Sequence, residues 1–281
     1  MNARRKERLV FALLTLSMLI VVLPVLLIIY FLAARGLPGL SWEFLTAMPR
    51  DNMRAGGIMP AIVGTLLLVA GTVLFSLPLG VFSAVYLSEY ARRGWLTRII
   101  RLAIVNLAGV PSVVYGLFGL GIFVMLLRLN ASLLSGSLTL AILILPVVIT
   151  ASEEALRSIP NSYREASLAL GATRWQTVRR VVLPNALPGI LTGLILGVAR
   201  AAGETAPILF TAAAFFLPRL PRTIFDQVMA LPYHLYIIAT QVPDAPPRIQ
   251  WGTALVLLLL VLGMNLIASL IRSHYRRARR W

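Results

Sequence analysis

Residues 153–186, EEALRSIPNSYREASLALGATRWQTVRRVVLPNA, decide how the rest of the chain is read. They form a polar island between two long apolar runs, 133–152 and 187–214. Ser162-Tyr163-Arg164-Glu165 fits a capping box, in which the hydroxyl accepts from the third backbone N–H and the carboxylate reaches back. Thr173-Arg174-Trp175-Gln176 repeats the pattern after Gly171, a residue suited to a left-handed C′ position. The spacing predicts two short helices joined by a sharp turn and closed by Leu183-Pro184. A rigid elbow of this kind between two apolar runs suits docking against another protein. An amphipathic loop lying on the membrane is the alternative the same residues allow.

Working outward, six apolar runs stand out: 9–34, 60–87, 99–127, 133–152, 187–214 and 251–271. Each is long enough to cross the ~30 Å hydrocarbon core of a bilayer as a helix. The composition agrees, with 59% hydrophobic and only 13% charged residues over 281. The expected fold class is all-α, a polytopic membrane protein with six transmembrane helices. The first run follows Arg4, Arg5, Lys6 and Arg8 and is longer than the apolar region of a signal peptide, so it reads as an uncleaved span. Residues 215–250 are rich in proline. Their apolar stretch 229–242, broken by Pro232, is too short to span and reads as an interfacial or re-entrant piece.

The net charge of +16 is distributed by side rather than by patch. With the N-terminus inside, 18 of the 26 basic residues fall in the N-terminal tail, the loop with Arg92 and Arg93, the elbow and the C-terminal tail ending in Arg279 and Arg280. Seven fall on the other side, and Arg200 alone sits within a span. This follows the positive-inside rule and places both termini in the cytoplasm. No basic face is interleaved with aromatics, so lipid headgroups rather than nucleic acid are the expected partners of the charge.

Arg200 and Glu204 fall one turn apart in the fifth run. A charge at mid-membrane costs about 2.5–3.5 kcal/mol on insertion scales and is usually kept for a pathway or a partner. A guanidinium fork suits an oxyanion; a structural ion pair is the alternative. Thr205 adds a hydroxyl beside the pair. The glycines at 109, 116, 119 and 121, with Pro111 and Pro146, mark bends or close packing in the third and fourth runs.

There are no cysteines, and His234 and His274 stand far apart and away from acidic clusters, so no metal site is expected. The only lysine, Lys6, precedes Glu7, so a P-loop is excluded and the chain cannot itself bind ATP in that way. No catalytic constellation is visible, and the chain is not expected to be an enzyme. An autonomous ion-coupled carrier using Arg200 and Glu204 as a charge relay remains a different-class reading.

Glu165-Ala166-Ser167, then Gly171 after three residues, then Val181 and Leu183-Pro184 at the end of the loop, resemble the EAA motif of ABC-importer permeases. Ser167 and Val181 are mild departures from it. Residues 109–118 (GVPSVVYGLF), Glu153-Glu154 and residues 199–207 (ARAAGETAP) narrow the resemblance to phosphate-importer permeases, closer to the PstA type than to its PstC-type partner. The resemblance implies a type I importer (MetI-like) permease fold in a prokaryotic inner membrane. It divides the chain into residues 1–55, a permease core 56–271 with its coupling loop 153–186, and a basic tail 272–281. It implies that Glu165, Ala166, Gly171, Leu183 and Pro184 couple to a separate ATPase. Arg200, Glu204 and Thr205 would then lie on the substrate path, and Ser112 and Tyr115 are candidate lining residues. The implied partners are a PstC-type permease, a dimeric PstB-type subunit that uses ATP and Mg, and a PstS-type phosphate-binding protein. A permease for another oxyanion or small solute is the neighbouring alternative.

Overall fold

In the hydrocarbon core a backbone must satisfy its own hydrogen bonds, and helices are how this apolar chain does so. The computed structural model describes residues 3–92 and 94–277; Arg93, Arg279 and Arg280, counted above among the inside charges, lie outside the described residues. In chain order the elements are α1 (Ala3–Gly36), α2 (Trp42–Thr46), a small antiparallel hairpin β1 (Pro49–Arg50) and β2 (Ala55–Gly56), α3 (Met59–Val85) and α4 (Trp95–Ala108). They continue as α5 (Ser112–Gly119), α6 (Leu133–Arg157), α7 (Asn161–Ala169), α8 (Arg174–Thr177) and α9 (Leu183–Gly203). The last three are α10 (Ala206–Thr211), α11 (Leu231–Thr240) and α12 (Pro247–Arg277). Among the described residues five helices are long and apolar enough to cross a membrane, and a bent pair counted as one span brings the number to six.

That pair corrects the third run. Instead of one straight span, α4 and the helix that starts with α5 meet at 104°. Pro111 has no N–H to donate and disfavours helical geometry at Val110, so α4 ends at Gly109 and α5 restarts at Ser112. The Tyr115 hydroxyl then donates to the Leu107 carbonyl at 2.7 Å, tying the two arms across the bend.

The centre of the bundle is α3, α6 and α9, packed through small residues at four-residue spacing. Gly189 and Gly193 of α9 press on Ala155 and Ala151 of α6, and Gly80 of α3 faces Val148. Without side chains at these points the helix backbones approach closely, the usual way apolar helices associate in lipid. By contrast, α1 leaves its long apolar side chains exposed and meets the bundle only near its C-terminal end. There Gly36 abuts Trp251 and Leu255 of α12, and the Arg35 guanidinium sits 5.3 Å above the Trp251 ring.

Residues 229–242 do not lie on a surface. Six residues of α11 are buried, His234 among them, and four of these, Leu231, Tyr233, Ile237 and Ile238, belong to the largest core cluster, so the interfacial half of the expectation is wrong. Thr65 of α3 fixes the start of α11: its Oγ1 donates to the Ala61 carbonyl at 2.7 Å and accepts the Leu231 N–H at 2.8 Å.

Candidate functional site: the elbow and the break in the fifth span

The elbow is built as two short helices about a glycine. Gly171 has φ +82, and its N–H donates to Leu168 O while that of Ala172 donates to Ser167 O, the paired bonds of a Schellman turn. The Thr173–Gln176 capping box forms in both directions, at 3.2 and 2.8 Å. Ser167 Oγ and Thr177 Oγ1, 2.9 Å apart, pin the two helices together.

Two local expectations fail. Ser162 is not a cap, because Pro160, extended at φ −56 and ψ 142, already stands at the N-cap and puts Ser162 inside the first turn of α7. Leu183-Pro184 does not close the loop either. A π-turn over Val178–Val182, in which Leu183 N–H donates to Val178 O, steps around the missing donor of Pro184. Helix therefore runs without interruption from Arg174 to Gly203, and α8 is joined stiffly to the fifth span.

The outer face of the elbow carries apolar side chains that nothing among the described residues covers. Leu170 is 89% exposed, and Leu168 and Trp175 are about half exposed, beside the exposed Glu165, Ala166 and Gly171. Beneath it, sequence reasoning missed the groups that hold it. Arg164 pairs with Glu89, 75 positions away, at 2.8 Å. Glu153 accepts from both Arg101 at 2.8 Å and Arg157 at 2.7 Å. Only the Glu153–Arg157 spacing of four leaves a local signal in sequence.

The fifth span breaks where its charges stand. α9 ends at Gly203; Glu204 is extended at ψ 131, and helix resumes at Ala206-Pro207. Glu204 is thus one residue past the helix and not on it. It still meets Arg200, Nε to Oε1 at 3.2 Å, with side chains 35% and 17% exposed. Thr205 follows at the break, its carbonyl accepting from Leu209 N–H. Ser112 is half-buried at the start of α5, whereas Tyr115 is buried with its hydroxyl spent on Leu107.

Residues 76–281 match the family described as binding-protein-dependent transport system inner membrane component. The chain belongs to that family. Among curated members, it is 36% identical to the phosphate transport system permease protein PstA 1 of Mycobacterium tuberculosis, over 94% of this chain and 86% of that one. It is 37% identical to the probable ABC transporter permease protein YqgI of Bacillus subtilis, over 85% of each. Of solved family folds, a bacterial alginate ABC transporter superposes with TM-score 0.67 at 16% identity, covering 95% of this chain and 96% of that one. The MetNI methionine ABC transporter superposes at 0.57 and 19% identity, over 78% and 94%. The fold is that of a type I ABC-importer permease, and the six-helix membrane architecture stands.

Proposed function

We propose that this chain is one transmembrane half of an ATP-driven phosphate importer. One observation of the structure carries the dependence on a motor: an ordered elbow, rigidly continuous with the fifth span, presents Leu168, Leu170 and Trp175 to solvent. Apolar side chains held out on such a frame suit burial against another subunit. In this reading Glu165, Ala166 and Gly171 meet the PstB-type ATPase dimer, which uses ATP and Mg. Leu183 and Pro184 set the stiff joint into the span. Both termini and the elbow face the cytoplasm, in keeping with the side on which basic residues collect. A PstC-type permease completes the path, and a PstS-type protein delivers phosphate from outside.

The substrate rests on the names of the relatives, with Arg200 as the chemical support. Its partly exposed guanidinium at a break in the span supports contact with an oxyanion, with Glu204 holding the fork and Thr205 beside it. Ser112 would line the same path. Uptake by the co-expressed complex, with phosphate, sulfate and molybdate in competition, tests the reading. Phosphate alone should compete effectively; preference for another oxyanion moves the chain to the neighbouring class. Transport by this chain alone on an ion gradient would replace the importer reading altogether. Arg200→Gln is expected to lower uptake about tenfold, the worth of one charge-assisted hydrogen bond. Assembly should remain intact, and its loss would make the Arg200–Glu204 pair structural.

A further inference from the structure

The elbow has a problem that apolar packing does not solve. No residue of α7 is buried, so this helix has no hydrophobic anchor in the bundle beneath it. Besides the Ser167–Thr177 contact to α8, Arg164 ties it to α3 and α6. Nη2 donates to Glu89 Oε1 at 2.8 Å and Nε to Glu89 Oε2 at 3.2 Å, gripping the π-turn Tyr86–Tyr90 that ends α3. Nη1 donates to Ile159 O at 2.6 Å and Nη2 also to Leu156 O at 2.8 Å, gripping the end of α6. All three guanidinium nitrogens are committed, and the two side chains are only 18% and 12% exposed.

The same turn of α3 is held from the other side. Arg101 of α4 donates to Leu87 O at 2.8 Å and pairs with Glu153 of α6. Between these two arginines lies a cleft of about 580 Å³, whose wall includes Ala91, Arg157 and Asn161. The end of α3 is therefore clamped by directional bonds beside open space.

We propose that Arg164 is a positioning residue that carries movement of the elbow into α3 and α6, through Glu89 and the α6 terminal carbonyls. This rests on the reading of the elbow as the ATPase-docking surface. A planar fork bonded at once to a carboxylate and two carbonyls transmits direction as well as force; a lysine would keep the charge and lose the geometry. The hydrogen bonds also join α7 to the two helices that pack most closely at the centre of the bundle, so displacement at the surface has a short mechanical route inward.

The chain has no cysteine, so Ala91→Cys puts a single thiol on the cleft wall. In the assembled complex with cysteine-free partners, the rate at which this thiol reacts with a maleimide is compared with and without ATP and vanadate. The rate should change on nucleotide addition. Arg164→Gln should cut that change about tenfold, within the range of a lost coupling energy. ATPase subunits should still co-purify and basal hydrolysis should persist. Glu89→Gln should act alike, the double variant should be no worse than either, and Arg164→Lys should recover only part of the response. An unchanged response in Arg164→Gln overturns the proposal, as does loss of the ATPase subunits in both single variants. So does a complex that imports phosphate yet shows no nucleotide response at position 91. The readout uses nucleotide and not phosphate, so an importer of another solute would fail the uptake assay above without failing here.

Discussion

The two ends of the helical bundle are held by different physics. At the end away from the elbow, one cluster of 19 buried apolar residues joins the hairpin region, the starts of α3, α6 and α12, and α10 and α11. At the elbow end the cluster around Val85, Leu156 and Val182 has 8. Ion pairs compensate there: Glu89–Arg164 and the Arg101–Glu153–Arg157 group lie at the elbow end. A close-packed apolar core resists deformation in every direction, because any shift opens voids or forces overlaps. Directional charge pairs around a cleft constrain fewer directions. The structure thus places its larger apolar core at one end and its main ion pairs at the elbow end.

The largest effect expected from this contrast is at glycines on opposite ends. A Cβ added at Gly64 would run into the Met229 carbonyl oxygen, a backbone atom fixed within the large core. At Gly189 the added Cβ would lie 2.5 Å from the Ala155 Cβ, on helices whose surrounding cluster is small. Overpacking costs about 1–3 kcal/mol. Gly64→Ala should fall near the top of that range and Gly189→Ala below it, as read by thermal unfolding of the purified protein in detergent. Equal losses would mean that the elbow end is as rigid as the other.

Gly171→Ala should give a smaller and purely local effect. Nothing lies within 4 Å of the Cβ it would add, so the cost is the left-handed backbone itself, φ +82. That is worth about 1–2 kcal/mol for a residue with a side chain. Amide exchange across 167–177 should quicken about tenfold, while the global melting temperature stays within error. A global loss would show that the elbow belongs to the bundle's cooperative unit and is not a separately hinged piece.

How much of this was legible in the sequence follows the range of the forces involved. Apolar runs and the Gly171 turn depend on neighbours in the chain, and they were readable, as was the Thr173–Gln176 box. The break in the third span was half visible: Gly109 and Pro111 suggested a bend, but a run of apolar residues carries no sign of a 104° turn. The false box at Ser162 arose from the same locality, because the pattern of hydroxyl and carboxylate was present while Pro160 had already set the helix start. Arg200 and Glu204 were readable as a pair, though not the helix end between them. Glu89 and Arg164 were not readable, since a pair 75 residues apart leaves no periodicity and Arg164 counted only as one positive charge among many. The burial of α11 was hidden for a related reason: ten residues too short to span gave no clue to what would cover them.

The smallest expected effect concerns a place where the rigid end leans on a carboxylate. Asp226 Oδ2 accepts the N–H groups of Arg222 at 2.7 Å and Thr223 at 3.2 Å. The turn so formed presents the carbonyls of Asp226 and Ile224 to the Leu133 and Leu134 N–H groups, capping the first turn of α6. The two backbone donors hold the Asp226 carboxyl below its usual range. A lowered folded-state value means its contribution is present above the unfolded value, about pH 4, and is lost as pH falls through the folded one. Amide exchange of residues 131–136, corrected for its intrinsic pH dependence, should therefore accelerate in acid. Asp226→Asn keeps an acceptor but no titrating group, so its exchange should lack this pH step. If both proteins show the same step, the turn is not held by the carboxylate. The far end would then depend on one charge fewer, making its contrast with the elbow end sharper still.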